Sequence, residues 1–323
     1  MRRRTALASI AALLAARGAH GQERVRIAFI SGGPPEPLAA WLADFKDELG
    51  RLGFPVGARL EFSARFALGK FDRLPGLVAE ILRENPAVIV SATTPASLAV
   101  KAATTSIPIV IMSVADPVGV GLVDNLARPS GNITGITNIL AELTGKRLQV
   151  LKELVPQLSK VAIFVNPGDS NAAIQIRNAE SASRGIGVTL HPIASVSAAS
   201  DLEPAFQSAI AAGAQAILRL VDPLTTALTP QSIELAARHR LPFMHPFREA
   251  VKQGGLVAYS ANQSAQYRRA AHFVARILQG AKPADLPVER PTKFELAINL
   301  KTAHALGLAI PPSVLAQADE VFE

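Results

Sequence analysis

An alternation of short apolar runs with amphipathic segments constrains this chain more than any other feature. The apolar runs, such as RVRIAFI at 24–30 and VAIFV at 161–165, are continuous rather than interrupted by polar residues. Such runs are typical of strands buried on both faces of a parallel sheet. The segments between them carry hydrophobic residues at helical spacing, for example Trp41, Leu42 and Phe45. The pattern predicts an α/β fold in which helices cover both faces of each sheet.

The pattern runs through the chain twice, which predicts two lobes of similar architecture that meet near residues 137–142. Strands are predicted over 24–30, 59–66, 87–90 and 107–113, then over 161–165, 188–193, 216–220, 242–245, 256–259 and 294–298. Helices are predicted over 37–52, 71–84, 95–104, 143–154, 171–184, 201–211, 230–240, 264–279 and 300–306. The glycine-rich stretch 112–138 is expected to form a strand-end loop and then lead into the other lobe.

The first 21 residues differ from the rest of the chain in their arrangement of charged and apolar residues. Arginines at 2–4 precede a weakly apolar run, 5–16, and Ala19-His20-Gly21 places small residues before a cleavage point. This predicts a signal peptide removed between Gly21 and Gln22, and hence export to the periplasm. The apolar run is too short to cross a membrane. The general and the twin-arginine export routes both stay open.

Composition excludes several classes of function. The chain has no cysteine, which excludes disulfides, thiolate zinc sites, cysteine nucleophiles and a lipid-modified N-terminal cysteine. The exported protein is therefore expected to be free in its compartment and not a lipoprotein. The net charge of +7 falls to +3 once the four arginines of residues 1–21 are removed. Because that charge is dispersed, no nucleic-acid partner is expected.

Polar side chains follow the predicted strands of both series. Ligands on open α/β sheets bind beyond the carboxyl ends of the strands, so these side chains are candidate ligand-binding groups. Serine and threonine at a helix start also act as N-caps, and aspartate before proline also begins turns, so both interpretations stay open. The candidates are Ser31, Thr93, Thr94, Asp116 and Asn138 in the first series and Asn166, Asn171, Asp222 and Ser260 in the second.

These loops suit binding rather than catalysis. The SGGPP sequence at 31–35 lacks the dinucleotide-binding spacing, and the chain contains no Walker sequence, no G-x-S-x-G elbow and no H-x-x-x-H pair. Isolated hydroxyls, amides and carboxylates can orient a small polar molecule. Catalysis needs a nucleophile with its base or paired acids, and no loop supplies them. The sequence therefore predicts a binding protein, not an enzyme, with no cofactor and no metal.

Several stretches resemble one known family. They are ADPVG (115–119), LARPSGNITG (126–135), GKRL (145–148), NP (166–167), GGLVAYSA (254–261) and the tail at 286–321. Together they resemble the ABC transporter substrate-binding proteins, in the branch whose characterised members bind tryptophan or tyrosine. This is a branch of the type 1 periplasmic binding protein fold. The similarity covers nearly all of the chain after residue 21.

The resemblance implies an organisation that periodicity does not. Two Rossmann-like lobes, each with a parallel sheet, would be joined by a hinge of three crossovers: 22–138 plus 262–290 as the N-terminal lobe, and 139–261 plus 291–323 as the C-terminal lobe. The lobes would close on one ligand, and an ABC permease and ATPase in the inner membrane would be the partners of a monomer.

The resemblance also implies roles for the candidate residues. Ser31, Thr93 and Thr94 would meet the polar end of the ligand, Asp116 and Asp222 would be available to an α-ammonium, and the other C-lobe candidates would be further partners. Aromatic residues are few, with one Trp and two Tyr, and Trp41 has the spacing of a core residue. This favours an amino acid or related small acid over a sugar, with Phe29, Phe247 and Tyr259 as possible apolar walls.

Three other functions are alternatives to solute binding for transport. A Rossmann-like oxidoreductase or glycosyltransferase lacks its fingerprint here. The effector domain of a transcription regulator would need a helix-turn-helix before residue 24, where the sequence predicts a signal peptide. A sensory receptor that serves a histidine kinase stays open as an alternative to transport.

Overall fold

The computed structural model describes residues 24–139, 142–155 and 157–323. The predicted signal peptide and its cleavage point lie outside the described residues. Within them, no helix combines the length and apolar character needed to span a membrane.

The first sheet has five parallel strands in the order β2-β1-β3-β4-β5. Its strands are β1 (Val25–Ser31), β2 (Leu60–Phe66), β3 (Val88–Ala92), β4 (Ile109–Val114) and β5 (Ile133–Thr137). The helices that follow its first three strands are α1 (Ala39–Arg51), α2 (Leu74–Arg83) and α3 (Thr94–Ala103).

The second sheet has seven strands in the order β12-β11-β10-β9-β8-β6-β7. Its strands are β6 (Lys160–Val165), β7 (Thr189–Ser195), β8 (Ala216–Arg219), β9 (Phe243–His245), β10 (Val257–Ala261), β11 (Phe294–Asn299) and β12 (Glu320–Phe322). The remaining helices are α4 (Thr144–Leu154), α5 (Ala172–Ile186), α6 (Leu202–Ala211), α7 (Pro223–Ala227), α8 (Thr229–Arg238), α9 (Arg248–Lys252), α10 (Gln263–Leu278), α11 (Leu300–Ala305) and α12 (Pro312–Leu315).

The central strands of both sheets are buried on two faces, as the continuous apolar runs predict. In β1, Ile27 and Phe29 enter one hydrophobic cluster while Ala28 and Ile30 enter another on the opposite face. β6 divides its residues between two clusters in the same way. Successive strand side chains point to opposite faces, so β1 and β6 each pack against a hydrophobic layer on both faces. The predicted α/β class with two sheets is confirmed.

Two features differ from the prediction. β5 forms inside the stretch predicted as a loop. The sequence pattern does not reveal this five-residue strand, because Thr134 and Gly135 separate the apolar Ile133 and Ile136. β11 pairs antiparallel with β10, so the second sheet is not wholly parallel. Between β10 and β11 the chain leaves the second sheet, forms α10 on the first lobe and then returns. It therefore does not re-enter the second sheet by a right-handed βα crossover, which would make β11 parallel to β10.

The chain passes between the sheets three times: after β5, after β10 and before β11. Between the second and third passages α10 packs on the first sheet, where Tyr267, Phe273 and Val274 join the cluster that contains Phe29 and Phe45. The third passage begins beside β5, since Thr137 N donates to Glu289 O over 3.0 Å. All three passages therefore lie between the two sheets.

Candidate functional site

A cavity of about 80 Å³ lies between the two sheets and is lined by both lobes. One water needs roughly 10–15 Å³ of such space, so the cavity suits a small molecule. Strand order reverses at β1 and β3 in the first sheet and at β6 and β8 in the second. The loops after these strands surround the cavity, which is where open α/β sheets bind ligands.

Six of the nine candidate residues line this cavity. Each follows the carboxyl end of a strand or lies at the start of the helix after it, and all but Thr93 are buried. They are Ser31, Thr93, Thr94 and Asn138 from the first lobe and Asn171 and Asp222 from the second.

The other three candidates do not line it. The amide of Asn166 donates to Asp222 Oδ1 over 3.3 Å, so Asn166 supports a lining residue from behind. Asp116 lines a separate cavity with Glu142 and Arg290 near the first and third passages, and its carboxylate accepts from Gly119 N at 2.8 Å. Asp116 therefore begins a turn and does not share a hollow with Asp222, contrary to the sequence expectation. Ser260 is buried in β10.

Two carboxylates from the second lobe line the cavity, Asp169 and Asp222. Burial raises the pKa of Asp169 to about 6, and the neighbouring Asp222 adds to this rise against the hydrogen bond from Asn171 N. Burial likewise raises the pKa of Asp222, although donors from Thr225 and Asn166 and the charge of Arg219 oppose it. Two buried carboxylates facing one cavity make an environment that a cation would stabilise.

Local structure fixes the position of Asp222. Its carboxylate caps α7 by accepting from Leu224 N at 2.9 Å and Thr225 N at 3.0 Å. The interpretation of this Asp-Pro pair as the start of a turn is therefore correct as well. One residue earlier, Val221 exchanges two hydrogen bonds with the side chain of Gln175 on α5, at 2.8 and 2.9 Å. These bonds hold the start of α5 and the segment just after β8 together at the cavity.

The first lobe presents hydroxyls and the start of α3 to the cavity. Thr93 accepts from Gly32 N at 3.2 Å and Ser31 accepts from Gly33 N at 3.1 Å. No side chain caps the N-terminus of α3, so the predicted N-cap role of these threonines is not what the structure shows. Helix N-termini favour anions, which complements the two carboxylates opposite.

Sequence reasoning missed part of the lining. Trp41 packs in the core as its spacing predicts, but it also lines the cavity with Phe247, and their ring centroids are 5.6 Å apart. Phe29 is fully buried in the first lobe and Tyr259 stacks on Phe294, and neither lines the cavity. Asp169 lies three residues beyond Asn166 in the NPGDSN loop that follows β6. Its place in a loop after a strand is the sequence feature that could have identified it as a lining residue.

The lobes are in contact across the cavity. Asn171 on the second lobe donates to Thr94 Oγ1 over 3.0 Å, and Trp41 Nε1 donates to Glu249 Oε1 over 2.9 Å. A Cβ built at Gly33 would lie 3.3 Å from Cβ of Pro223. The structure is therefore in a closed arrangement. Nowhere in the described ranges do three or more His, Asp or Glu side chains form a group that could hold a metal ion.

Comparison with known proteins identifies the family. The model of the ABC transporter substrate binding protein family matches residues 29–322. This chain belongs to that family. The resemblance seen in the motifs is confirmed, and the family consists of substrate-binding proteins rather than enzymes.

Individual relatives are consistent with this family assignment. The chain is 24% identical over 266 residues to the tyrosine-binding protein of Clostridioides difficile (strain R20291), covering 79% of this chain and 73% of the relative. A conserved domain protein from Vibrio cholerae superposes with a TM-score of 0.86 at 28% identity, covering 93% of this chain and all of the other. An ABC domain from Streptococcus pneumonia in complex with L-Trp gives a TM-score of 0.85 at 22% identity, with the same coverage. The fold is that of type 1 periplasmic binding proteins.

Proposed function

We propose that this protein is the periplasmic solute-binding component of an ABC importer and that it traps an α-amino acid between its lobes. One observation carries the proposal: a cavity between the lobes combines two buried carboxylates on one lobe, hydroxyls and an uncapped helix start on the other, and an aromatic wall. The family supports a substrate-binding role. Relatives described as binding tyrosine and L-Trp support an amino acid as the ligand class, and both of those amino acids are aromatic.

The ammonium of the ligand would lie against Asp169 and Asp222. Both carboxyl groups are buried, with 6% and 4% of their residue surface exposed, and burial penalises their ionised form. A positive group in the cavity removes much of that penalty, because charge-assisted hydrogen bonds are the stronger ones. In this proposal Asp169 takes the role that the family resemblance implied for Asp116.

The carboxylate of the ligand would face Ser31, Thr93, Thr94 and the start of α3. Hydroxyl donors and the positive end of the helix dipole favour a negative group there. The side chain of the ligand would contact the apolar wall formed by Trp41, Phe247 and their neighbours Pro34, Pro37 and Leu38. Burial raises the pKa of Tyr267, which keeps the hydroxyl of this lining residue protonated.

Closure would occur about the three passages of the chain. The moving bodies would be 22–138 plus 262–290 and 139–261 plus 291–323, with the ion pair between Arg290 and Glu142 close to the axis. Such hinge motion around a ligand is a common mode of domain closure. We propose that the closed monomer, exported by the signal peptide at 1–21, is the form that the permease and its ATPase recognise.

The test is a thermal-shift screen of amino acids, sugars, purines and organic acids, followed by calorimetry on Asp222→Asn. Asparagine keeps the helix cap but removes the charge. A hydrogen bond to a charged group contributes about 1.5–3 kcal/mol, so the affinity for an amino acid should fall roughly 10- to 150-fold. Asp116→Asn should leave the affinity unchanged. Failure of every amino acid in the screen to stabilise the wild type, or equal affinities for wild type and Asp222→Asn, would refute the proposal.

A further inference from the structure

Trp41 contacts both lobes. It lies on α1 of the first lobe, where its ring packs against Tyr267 of α10 with the ring centroids 5.6 Å apart. On its other side the ring meets Phe247 of the second lobe in an edge-to-face arrangement, also at 5.6 Å, and Trp41 Nε1 donates to Glu249 Oε1 over 2.9 Å. Only 5% of Trp41 is exposed. One aromatic side chain of the first lobe therefore binds to a ring and a carboxylate of the second.

The hydrogen bond between Trp41 and Glu249 meets a requirement of a buried tryptophan. The indole N–H can only donate, and a buried indole usually has an acceptor. A carboxylate acceptor makes the bond charge-assisted, which is stronger than a bond between neutral groups. If the lobes separated, Phe247 and Glu249 would move away with the second lobe and the N–H would bind water instead. The bond and the ring contact therefore favour the arrangement in which the lobes meet.

The two partners differ in their relation to the cavity. Trp41 lines the cavity in which we place the ligand, whereas Glu249 lies outside that lining. Glu249 is the second residue of α9 and follows Phe247 closely, so the carboxylate and the ring of the second lobe move together. Trp41 thus links a ligand-lining surface to a carboxylate that the ligand does not contact.

We infer that Trp41 and Glu249 form a latch, in which their hydrogen bond is made on closure and retains the ligand by stabilising the closed arrangement. Glu249 is then a positioning residue that acts through Trp41. This inference rests on the proposed function, in which closure traps the ligand. A latch acts on the equilibrium between open and closed arrangements, so its loss reduces the affinity for every ligand by the same factor.

The expected factor follows from the exposure of the bond. The side chain of Glu249 is 32% exposed, which puts the bond at the lower end of the range for hydrogen bonds to charged groups, or roughly tenfold in an equilibrium constant. Glu249→Leu removes the acceptor, so the affinity for each amino acid that binds the wild type should fall by that factor, with their order of preference unchanged. Glu249→Gln keeps a carbonyl acceptor and should stay within about threefold of the wild type.

The experiment titrates the standard L-amino acids into the wild type, Glu249→Leu, Glu249→Gln, Trp41→Phe and the double variant Trp41→Phe with Glu249→Leu. Calorimetry gives the affinities, and the melting of each ligand-free variant shows that it is folded. Trp41→Phe keeps an aromatic wall but has no N–H to donate. Glu249→Leu should therefore cause no further loss in the Trp41→Phe background, because the bond is already absent there.

Glu320→Leu is the matched control. Glu249 and Glu320 both lie beside Arg248, with 3.6 and 3.2 Å between their charged atoms, but Glu320 belongs to β12 and bonds Arg248 within the second lobe. Its substitution should leave every affinity unchanged. A loss confined to Glu249→Leu then comes from the contact with Trp41 and not from the pairing with Arg248.

The emission of Trp41 gives a second readout, because it is the only tryptophan in the chain. A bound amino acid other than tryptophan or tyrosine should shift the emission of the wild type to shorter wavelength and protect it from acrylamide quenching. Unchanged emission, unchanged affinity in Glu249→Leu, an equal loss in Glu320→Leu or an additive loss in the double variant overturns the latch but not the proposed function. Failure of every amino acid to bind the wild type overturns both.

Discussion

At the scale of single residues, the site depends on carboxylates that are held in an unfavourable environment. Asp222 is fixed by four donors from Asn166, Leu224 and Thr225, while Asp169 is held by the backbone of Asn171. These contacts keep both side chains in place but do not cancel the effect of burial on their pKa values. If these residues bind the ammonium group as proposed, the site is already ordered before the ligand arrives, which lowers the cost of ordering it on binding.

The raised pKa of Asp169 predicts a pH-dependent affinity. With a pKa of about 6 instead of 3.8, the carboxyl group is largely protonated below pH 6 and ionised above pH 7. An ammonium prefers the ionised form, so amino-acid affinity should fall as the pH drops from 7 to 5, by up to about tenfold per unit from this single proton. Calorimetry across this range measures it. Asp169→Asn should give weaker binding with a flatter profile, and an unchanged affinity from pH 8 to 5 would contradict the prediction.

The effect on the stability of the ligand-free protein has the opposite sign. Because the folded-state pKa of Asp169 lies above its ordinary value, the folded form binds more protons than the unfolded form between about pH 4 and 6. The contribution of Asp169 to stability therefore falls as the pH rises through that window. Comparing wild type with Asp169→Asn isolates this contribution from those of other titrating groups.

At the scale of elements, the strand ends decide which side chains reach the cavity. β4 and β5 pair irregularly between Ile111 and Val114, where Ser113 adopts a φ of 53°. Beside this irregularity, Ser113 of β4, Ala115 just after β4 and Asn138 just after β5 line the cavity. Gly135 makes the close approach of the two strands possible, since it has a φ of 134° and a Cβ there would lie 2.2 Å from Ile111 O.

Gly135→Ala should therefore destabilise the first lobe. The clash is with backbone atoms that cannot rotate away, and the conformation itself is strained for any residue with a Cβ, so we expect a loss of at least about 2–3 kcal/mol. Thermal or urea denaturation measures it. Gly76→Ala is the matched control: it lies in α2 with no atom within 4 Å of a Cβ, and it should gain about 0.5–1 kcal/mol. Equal stability of the two variants would show that β5 does not depend on this glycine.

At the scale of the whole molecule, the proposed function depends on closure of the two lobes. Contacts such as Asn171–Thr94 and Trp41–Glu249 join the lobes around the cavity. In the proposed function these contacts separate to admit the ligand. The proposal therefore requires exchange between open and closed arrangements, in which a ligand that bridges both lobes shifts the population toward the closed one.

A disulfide can test this requirement, because the chain has no cysteine of its own. Gly33→Cys combined with Pro223→Cys places two Cβ atoms about 3.3 Å apart in the closed form, close to disulfide geometry. Oxidised without ligand, the double variant should not bind an amino acid and should be more compact in solution scattering than the ligand-free wild type. Reduction should restore binding. The two single variants serve as controls, and full binding by the oxidised double variant would exclude closure as the trapping step.

The sequence by itself determined the α/β class, the doubling of the pattern and the family, because continuous apolar strands and ordered motifs are local properties of the chain. It also placed Ser31, Thr93, Thr94, Asn138, Asn171 and Asp222 at strand ends, where the parallel topology brings them to one cavity. Only the tertiary structure decided that Asp169 and not Asp116 accompanies Asp222, and that Trp41 is both a core residue and a cavity wall. Those outcomes depend on which way a loop turns its carboxylate and on how the lobes meet, and neither is encoded in local periodicity.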